Sequence, residues 1–291
     1  MTPGWVDDLI RVEQLPDDFE PAVDRIIRPL AESIHALRAS LARPAIIGIS
    51  GAQGSGKSTL ALILSGWLEK ELGHTTASLS LDDLYLTKAE REVLADDVHP
   101  LFATRGVPGT HDVQLGMQLL DTLTGIDGPR LVALPSFDKA RDDRKPASEW
   151  RQVTAPVDVV LFEGWCVGTR AQEAHELAEP VNALEAERDA DGSWRRAVND
   201  RLASDYAELF ARLDMLVMLR IPAFDQVFEW RQLQEEKLRK AAGRGQTDTE
   251  LSGFIRHFER LTRHMLMTMP SRADFVIDID GDHKLVEIRG S

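Results

Sequence analysis

The run Gly51-Ala-Gln-Gly-Ser-Gly-Lys57-Ser58 constrains this chain more than any other feature. It matches G-x-x-x-x-G-K-[ST]. It lies between an apolar run at 45–50 and a stretch of helical periodicity at 57–72, which Gly73 stops. Strand, glycine-rich loop and helix form the order in which a backbone can wrap a phosphate. Glycines let successive N–H groups turn inward. The helix directs the positive end of its dipole at the same anion. Lys57 is placed to reach the β- and γ-phosphates of a nucleotide, and the Ser58 hydroxyl to ligate Mg²⁺. The expected nucleotide contacts are Gly51, Gln53, Gly54, Ser55, Gly56, Lys57, Ser58 and Thr59, with ATP and Mg²⁺ as the cofactors. Kinases, GTPases, motors and switches share such a loop, so it specifies a ligand and leaves the reaction open.

Four further runs, 77–81, 157–162, 215–219 and 275–279, are apolar along their whole length, as strands buried on both faces should be. Helical stretches separate them. The alternation predicts an α/β fold: a P-loop three-layer sandwich around a mostly parallel five-stranded sheet, with helical insertions and a lid. We expect one domain over 1–291. Val23, Ile26, Ile27, Leu30, Ile34, Leu37 and Leu41 predict a helix over 17–41, ended by Pro44. An insert over 99–146, a helical insert over 169–210 and a lid over 231–260 complete the organisation. Residues 171–191 hold seven acids against one base, read as a solvated helical face. Residues 241–253, with Gly243, Gly245 and Gly253, read as a mobile loop between helices.

Lys and Arg number 34 against 48 Asp and Glu, a net charge of −14. A field of that sign repels nucleic acid and anionic lipid, so neither is an expected partner. The single cysteine, Cys166, excludes an internal disulfide. No apolar run approaches the roughly 20 residues of a membrane helix, and the early Asp7 and Asp8 do not suit a signal peptide. The reading is a soluble cytoplasmic protein acting on a small molecule, its oligomeric state left open.

Ligands of open α/β sheets bind outside the carboxyl ends of the strands. Asp82 and Asp83 follow the run at 77–81, and Glu163 follows the run at 157–162. If these strands flank the loop strand, the acids converge on the γ-phosphate and its metal. One acid can then take the proton of an acceptor hydroxyl while another holds Mg²⁺. Asp82 is the expected base and Asp83 its competitor; the alternative for either is a helix N-cap. Residues 99–146 balance six Lys/Arg against six Asp/Glu in an otherwise acidic chain. Arg105, His111, Lys139 and Arg144 lie there, groups that pair with a small anion. Each alone could be solvated surface, and His111 could equally be a hydrogen-bonder in the core.

The segments Ser80-Leu-Asp82-Asp83-Leu-Tyr85-Leu-Thr87, Arg105-Gly-x-Pro-Gly-Thr-His111-Asp112, Phe137-Asp138-Lys139, Asp143-Arg144 and Leu161-Phe-Glu163-Gly164-Trp165 together resemble the D-glycerate 3-kinases of plants, fungi and bacteria. The resemblance runs on through Trp194-Arg195 and Phe228-Glu-Trp230-Arg231, and spans roughly residues 30–280. The loop and the strand-end Glu-Gly are shared more widely, with uridine kinase, pantothenate kinase and phosphoribulokinase. The resemblance implies ATP-dependent phosphorylation of D-glycerate to 3-phosphoglycerate. Lys57, Asp82, Asp83 and Glu163 would be catalytic, and Ser58, Asp82 and Glu163 would serve the metal. Arg105, His111, Asp112, Asp138, Lys139, Arg144 and Arg231 would hold the acceptor. Arg239, Lys240 and Arg244 would close over the phosphates with Arg231. Ser136 stands where the resemblance leads one to expect a basic residue. Pantothenate, uridine or a sugar acid is the alternative acceptor, and a nucleotide-dependent switch the alternative class.

Overall fold

The computed structural model describes residues 3–13, 15, 19–125, 128–232 and 248–290. Ten strands occur among them: β1 (Ala45–Gly51), β2 (Thr76–Ser80), β3 (Arg130–Leu134), β4 (Phe137–Asp138), β5 (Asp143–Arg144), β6 (Arg151–Ala155), β7 (Val159–Gly164), β8 (Met215–Arg220), β9 (Phe275–Ile279) and β10 (Leu285–Gly290). The main sheet has the order β10-β9-β8-β1-β7-β2. The five strands expected from sequence are all present and mutually parallel. A sixth, β10, pairs antiparallel with β9 at one edge. The sequence reading did not place it, because an edge strand such as Leu-Val-Glu-Ile-Arg-Gly is half polar and largely exposed. Two short hairpins, β3 with β6 and β4 with β5, fold the chain between residues 130 and 155.

Alternate residues of each central strand enter different cores. Ile47, Ile49, Leu161, Val217 and Ile277 pack with Ile27, Leu30, Ile34, Ile63 and Leu64 on one face. Ile46, Val160, Phe162, Met218 and Val276 pack with Leu120, Leu202, Leu209 and Met265 on the other. Both faces are therefore covered by helices, which is why the strands read as unbroken apolar runs. The helix expected over 17–41 is Glu20–Ala22 and Arg28–Ser40 joined by the π-helical turn Val23–Ile27. Leu41 is already extended, so the chain leaves the helix before Pro44.

Two expectations are corrected. The acidic segment 171–191 is not simply a solvated face: Glu185 and Asp189 are each 1% exposed. Glu185 takes two hydrogen bonds from Arg260, at 2.8 and 2.6 Å, and Asp189 pairs with Arg195 at 2.9 Å. Acids that would be costly to bury alone are neutralised by arginines, one 75 residues away and one only six. Of the loop expected over 241–253, residues 248–253 are helical, within Asp248–Thr268; the remainder lies outside the described residues, as do Arg239, Lys240 and Arg244.

Arg260 also donates to the carbonyls of Glu176 and Glu179, so it fastens the segment 174–188 onto the helix Asp248–Thr268. Glu185→Ala would leave the guanidinium buried without its counter-charge. We expect a loss of about 3 kcal/mol, read as a lowered urea midpoint at unchanged slope.

Candidate active site

The register of β1, β7 and β2 builds the site. Glu163 on β7 lies beside Ile49 of β1 and Ser80 of β2. The turn after β1 and the turn after β2 thus emerge on either side of one carboxylate. Glu163 is the fifth residue of β7 rather than the residue beyond it. Gly164 follows, and a Cβ there would fall 2.6 Å from the Leu81 Cβ. Only glycine lets the 3₁₀ turn Leu81–Leu84 sit so close to β7.

The phosphate loop spans β1 and the helix Lys57–Lys70. Gly54 and Gly56 have φ of 80° and 87°, left-handed values that glycine adopts without strain. Both side-chain amide atoms of Gln53 and the Ser55 hydroxyl are buried with no hydrogen-bond partner in the protein. Lys57 Nζ donates to the Ala52 carbonyl at 3.0 Å. Burial lowers the Lys57 pKa; Glu163 and Asp82 oppose the shift without cancelling it. Ser58 Oγ donates to Glu163 Oε1 at 2.9 Å. Orphaned donors, inward-turning glycines and a cation fit a nucleotide's phosphates. The hydroxyl–carboxylate pair fits Mg²⁺, which takes one or two protein oxygens and completes its shell with phosphate and water. No group of three or more His, Cys, Asp or Glu among the described residues could hold a metal by itself.

Across the cleft, Asp82 accepts from Tyr85 Oη at 3.0 Å and from Lys139 Nζ at 2.7 Å. Burial acts to raise the Asp82 pKa, but the charge and hydrogen bond of Lys139, with Lys57 behind, hold it below the ordinary carboxylate range. Asp83 differs. Burial pushes its carboxyl up, and the Phe137 N–H donating to it at 2.9 Å only partly offsets this. Asp83 thereby fastens β4 to the turn, whereas Asp82 faces an exposed cation. Both line one cleft of about 800 Å³ together with Gln53 to Thr59, Arg105, Lys139, Glu163 and Arg231. Arg105 pairs with Asp142 and lies over the Phe137 ring.

Four residues expected to hold an acceptor do not line this cleft, and each has a partner elsewhere. Asp112 caps the helix Val113–Thr124 by accepting from Leu115 N. Asp138 accepts from Arg141 and Ala140 N–H groups within its own turn, which hold its carboxyl below the usual range. Arg144 donates to the Tyr85 carbonyl at 2.9 Å and braces the Asp82 turn from behind. His111 Nδ1 lies 2.6 Å from Tyr206 Oη, and its ring stacks on Tyr85 at 4.5 Å. Burial takes the His111 pKa down to about 3, against a smaller opposing effect of Asp82, so the ring is neutral at pH 7. Gly51 is the last residue of β1, where a Cβ would meet Ser55 Oγ and Leu219.

No family model matches the chain. The uncharacterized kinase mug58 of Schizosaccharomyces pombe is 36% identical over 226 residues, which are 74% of this chain and 79% of that protein. The chloroplastic D-glycerate 3-kinase of Arabidopsis thaliana is 30% identical over 253 residues, 81% of this chain and 53% of that protein. The D-glycerate 3-kinase of Cryptococcus neoformans var. grubii superposes with a TM-score of 0.75 at 25% identity, covering 91% of this chain and 99% of that one.

The chain belongs to the D-glycerate 3-kinase family of P-loop kinases.

In this P-loop kinase the cleft also holds residues to which sequence reasoning gave no role. Tyr85 and Trp165 line it, three residues after Asp82 and two after Glu163; the signal was an aromatic just past each strand-end acid. Leu15, Phe19, Phe254, Phe258, His283 and Leu285 line it as well, and Trp230 stacks on His283 at 3.8 Å. These come from opposite ends of the chain and carry no local motif.

The neutral His111 makes a pH prediction. Its folded pKa lies below the unfolded value, so the stabilisation is full above pH 6.5 and is lost as pH falls toward 3. Between pH 7 and pH 5 this one group should cost the protein about 2 kcal/mol. Urea unfolding at the two pH values should show a drop smaller by that amount in His111→Gln; an equal drop would place the acid sensitivity elsewhere.

Proposed function

We propose that the protein transfers the γ-phosphoryl group of ATP to a hydroxyl of D-glycerate, giving 3-phosphoglycerate and ADP. The observation that carries this is the pairing of Asp82 with Lys139 opposite the phosphate loop. A base and an anion-binding cation stand together where an acceptor would meet the γ-phosphate. The names of the relatives support D-glycerate as that acceptor.

The chain's own groups divide the work. Residues 51–59 cradle the phosphates, with Lys57 toward the β- and γ-oxygens. Ser58 and Glu163 would hold Mg²⁺, which would supply positive charge to offset that of the phosphates. The acceptor carboxylate draws Lys139 away from Asp82 and takes further pairing from Arg105. Freed of its counter-charge, Asp82 becomes a better base and accepts the proton of the acceptor hydroxyl. That oxygen bonds to the γ-phosphorus as the bond from phosphorus to the β–γ bridging oxygen breaks. Positioning dominates such a reaction, so a modest base suffices. Trp165, Phe254 and Phe258 line the cleft as apolar walls that exclude water, which would otherwise compete as acceptor.

A coupled assay with ATP and a panel of hydroxy acids, pantothenate and uridine tests the reading. D-glycerate should have the highest kcat/KM; preference for another member would replace the acceptor. Asp82→Asn should lower kcat by at least about a hundredfold while an ATP analogue still binds. Lys139→Met should act mainly on the acceptor, raising its KM roughly tenfold or more with the KM for ATP little changed.

A further inference from the structure

A second cavity, of about 360 Å³, opens beside the starts of β8 and β9, at the end of the sheet opposite the phosphate loop. Leu202, Phe210, Leu213 and Leu216 give it an apolar wall. Three donors line the same space: Arg170, Arg272 and Thr169. Thr169 is 3% exposed and its hydroxyl has no partner. Arg272 donates one N–H to the Gly168 carbonyl at 3.0 Å, while its buried Nε has no partner. Burial and the like charge of Arg170 both act against the Arg272 guanidinium. Two carboxylates border the cavity, but both are engaged. Asp214 takes two hydrogen bonds from Arg43, at 2.8 and 2.6 Å, and one from Ile46 N at 2.9 Å. Asp274 accepts from Leu216 N at 2.7 Å. Neighbouring guanidiniums and a buried hydroxyl without an acceptor are satisfied by the oxygens of an anion.

We propose that this cavity binds a small organic anion, a carboxylate or phosphate monoester carrying an apolar group, and that its occupancy alters nucleotide binding in the catalytic cleft. The volume suits such a ligand, and guanidinium forks match both head groups. Two segments join the sites. The turn from Gly164 through Thr169, closed by Thr169 N donating to the Cys166 carbonyl at 3.0 Å, carries Trp165 into the cleft and Arg170 into the cavity. The helix Asp248–Thr268 carries Phe254 and Phe258 into the cleft and leads through Met269–Ser271 to Arg272. Trp165 and Phe258 meet edge to face at 5.0 Å, so the two segments also touch each other at the cleft.

The test titrates the full chain, its cleft filled by a non-hydrolysable ATP analogue with Mg²⁺, with phenyl phosphate and with benzoate by calorimetry. At least one probe should bind at one site per chain with a Kd of about 1 mM or tighter; which of the two does so assigns the head group. Arg170→Gln, at an exposed position that does not endanger folding, and Thr169→Val should each weaken that probe roughly fivefold or more, with the analogue's own affinity unchanged. Binding of neither probe, or equal binding by wild type and Arg170→Gln, overturns the site. Saturation with the probe should shift the analogue's Kd by about twofold or more, a reciprocal coupling; an unchanged Kd overturns the effect on the cleft. These readouts are binding constants, so they stand apart from whether D-glycerate is the acceptor.

Discussion

Glu163 and the Ser58 hydroxyl meet at 2.9 Å because β7 lies between the strand that feeds the phosphate loop and the strand that feeds Asp82. A one-residue slip of β7 would turn Glu163 to the other face of the sheet. The slip is opposed by two cores at once, since Leu161 belongs to one and Phe162 to the other. The geometry of the candidate site is therefore held by hydrophobic packing on both sides of a strand, not by contacts among the polar groups themselves. Gly164 extends the same constraint to β2, because its missing side chain is what lets the Asp82 turn approach.

An acidic chain that binds anions must concentrate its positive charge. Here the concentration is achieved by spending acids elsewhere. Asp142 takes Arg91, Glu185 takes Arg260, and Asp189 takes Arg195. Lys57 and Lys139 then face the carboxylates of the cleft, and an incoming anion competes with those carboxylates for the two lysines. Lys139 is the exposed member, 63% exposed in its side chain, so leaving Asp82 would carry little packing cost.

Local patterns made the nucleotide half of the site legible. The loop, the strand before it and the acids after two further strands lie in contiguous segments with a periodicity or a motif, so residues 51–59, Asp82 and Glu163 could be named from sequence. The acceptor half was legible only as a region. Asp112, Asp138 and Arg144 carry the right chemistry, but a carboxylate beside a helix start or within a turn serves the backbone as readily as a ligand. Which use wins depends on the fold around it. The aromatic lining was harder still: Phe19, Phe258 and His283 converge from distant segments, and nothing in their own neighbourhoods signals it. The same holds for Glu185, whose burial depends on an arginine 75 residues away.

His111 shows why residue chemistry alone misleads. A histidine beside arginines looks like an anion ligand, yet a charged imidazole stacked on Tyr85 would compete with Lys139 for Asp82. The fold removes that competition by burying the ring against Tyr206 and Tyr85. Tyr206 Oη accepts the Gly109 N–H at 3.0 Å and shares a hydrogen bond with His111 Nδ1 at 2.6 Å, which ties the ring to the turn that precedes it. Tyr85, its own pKa raised well above the ordinary value by burial and by Asp82, stays a neutral donor to that carboxylate. The floor beneath Asp82 is thus a stack of uncharged rings, and among the described residues Lys139 and Lys57 are the cations that hold its pKa down.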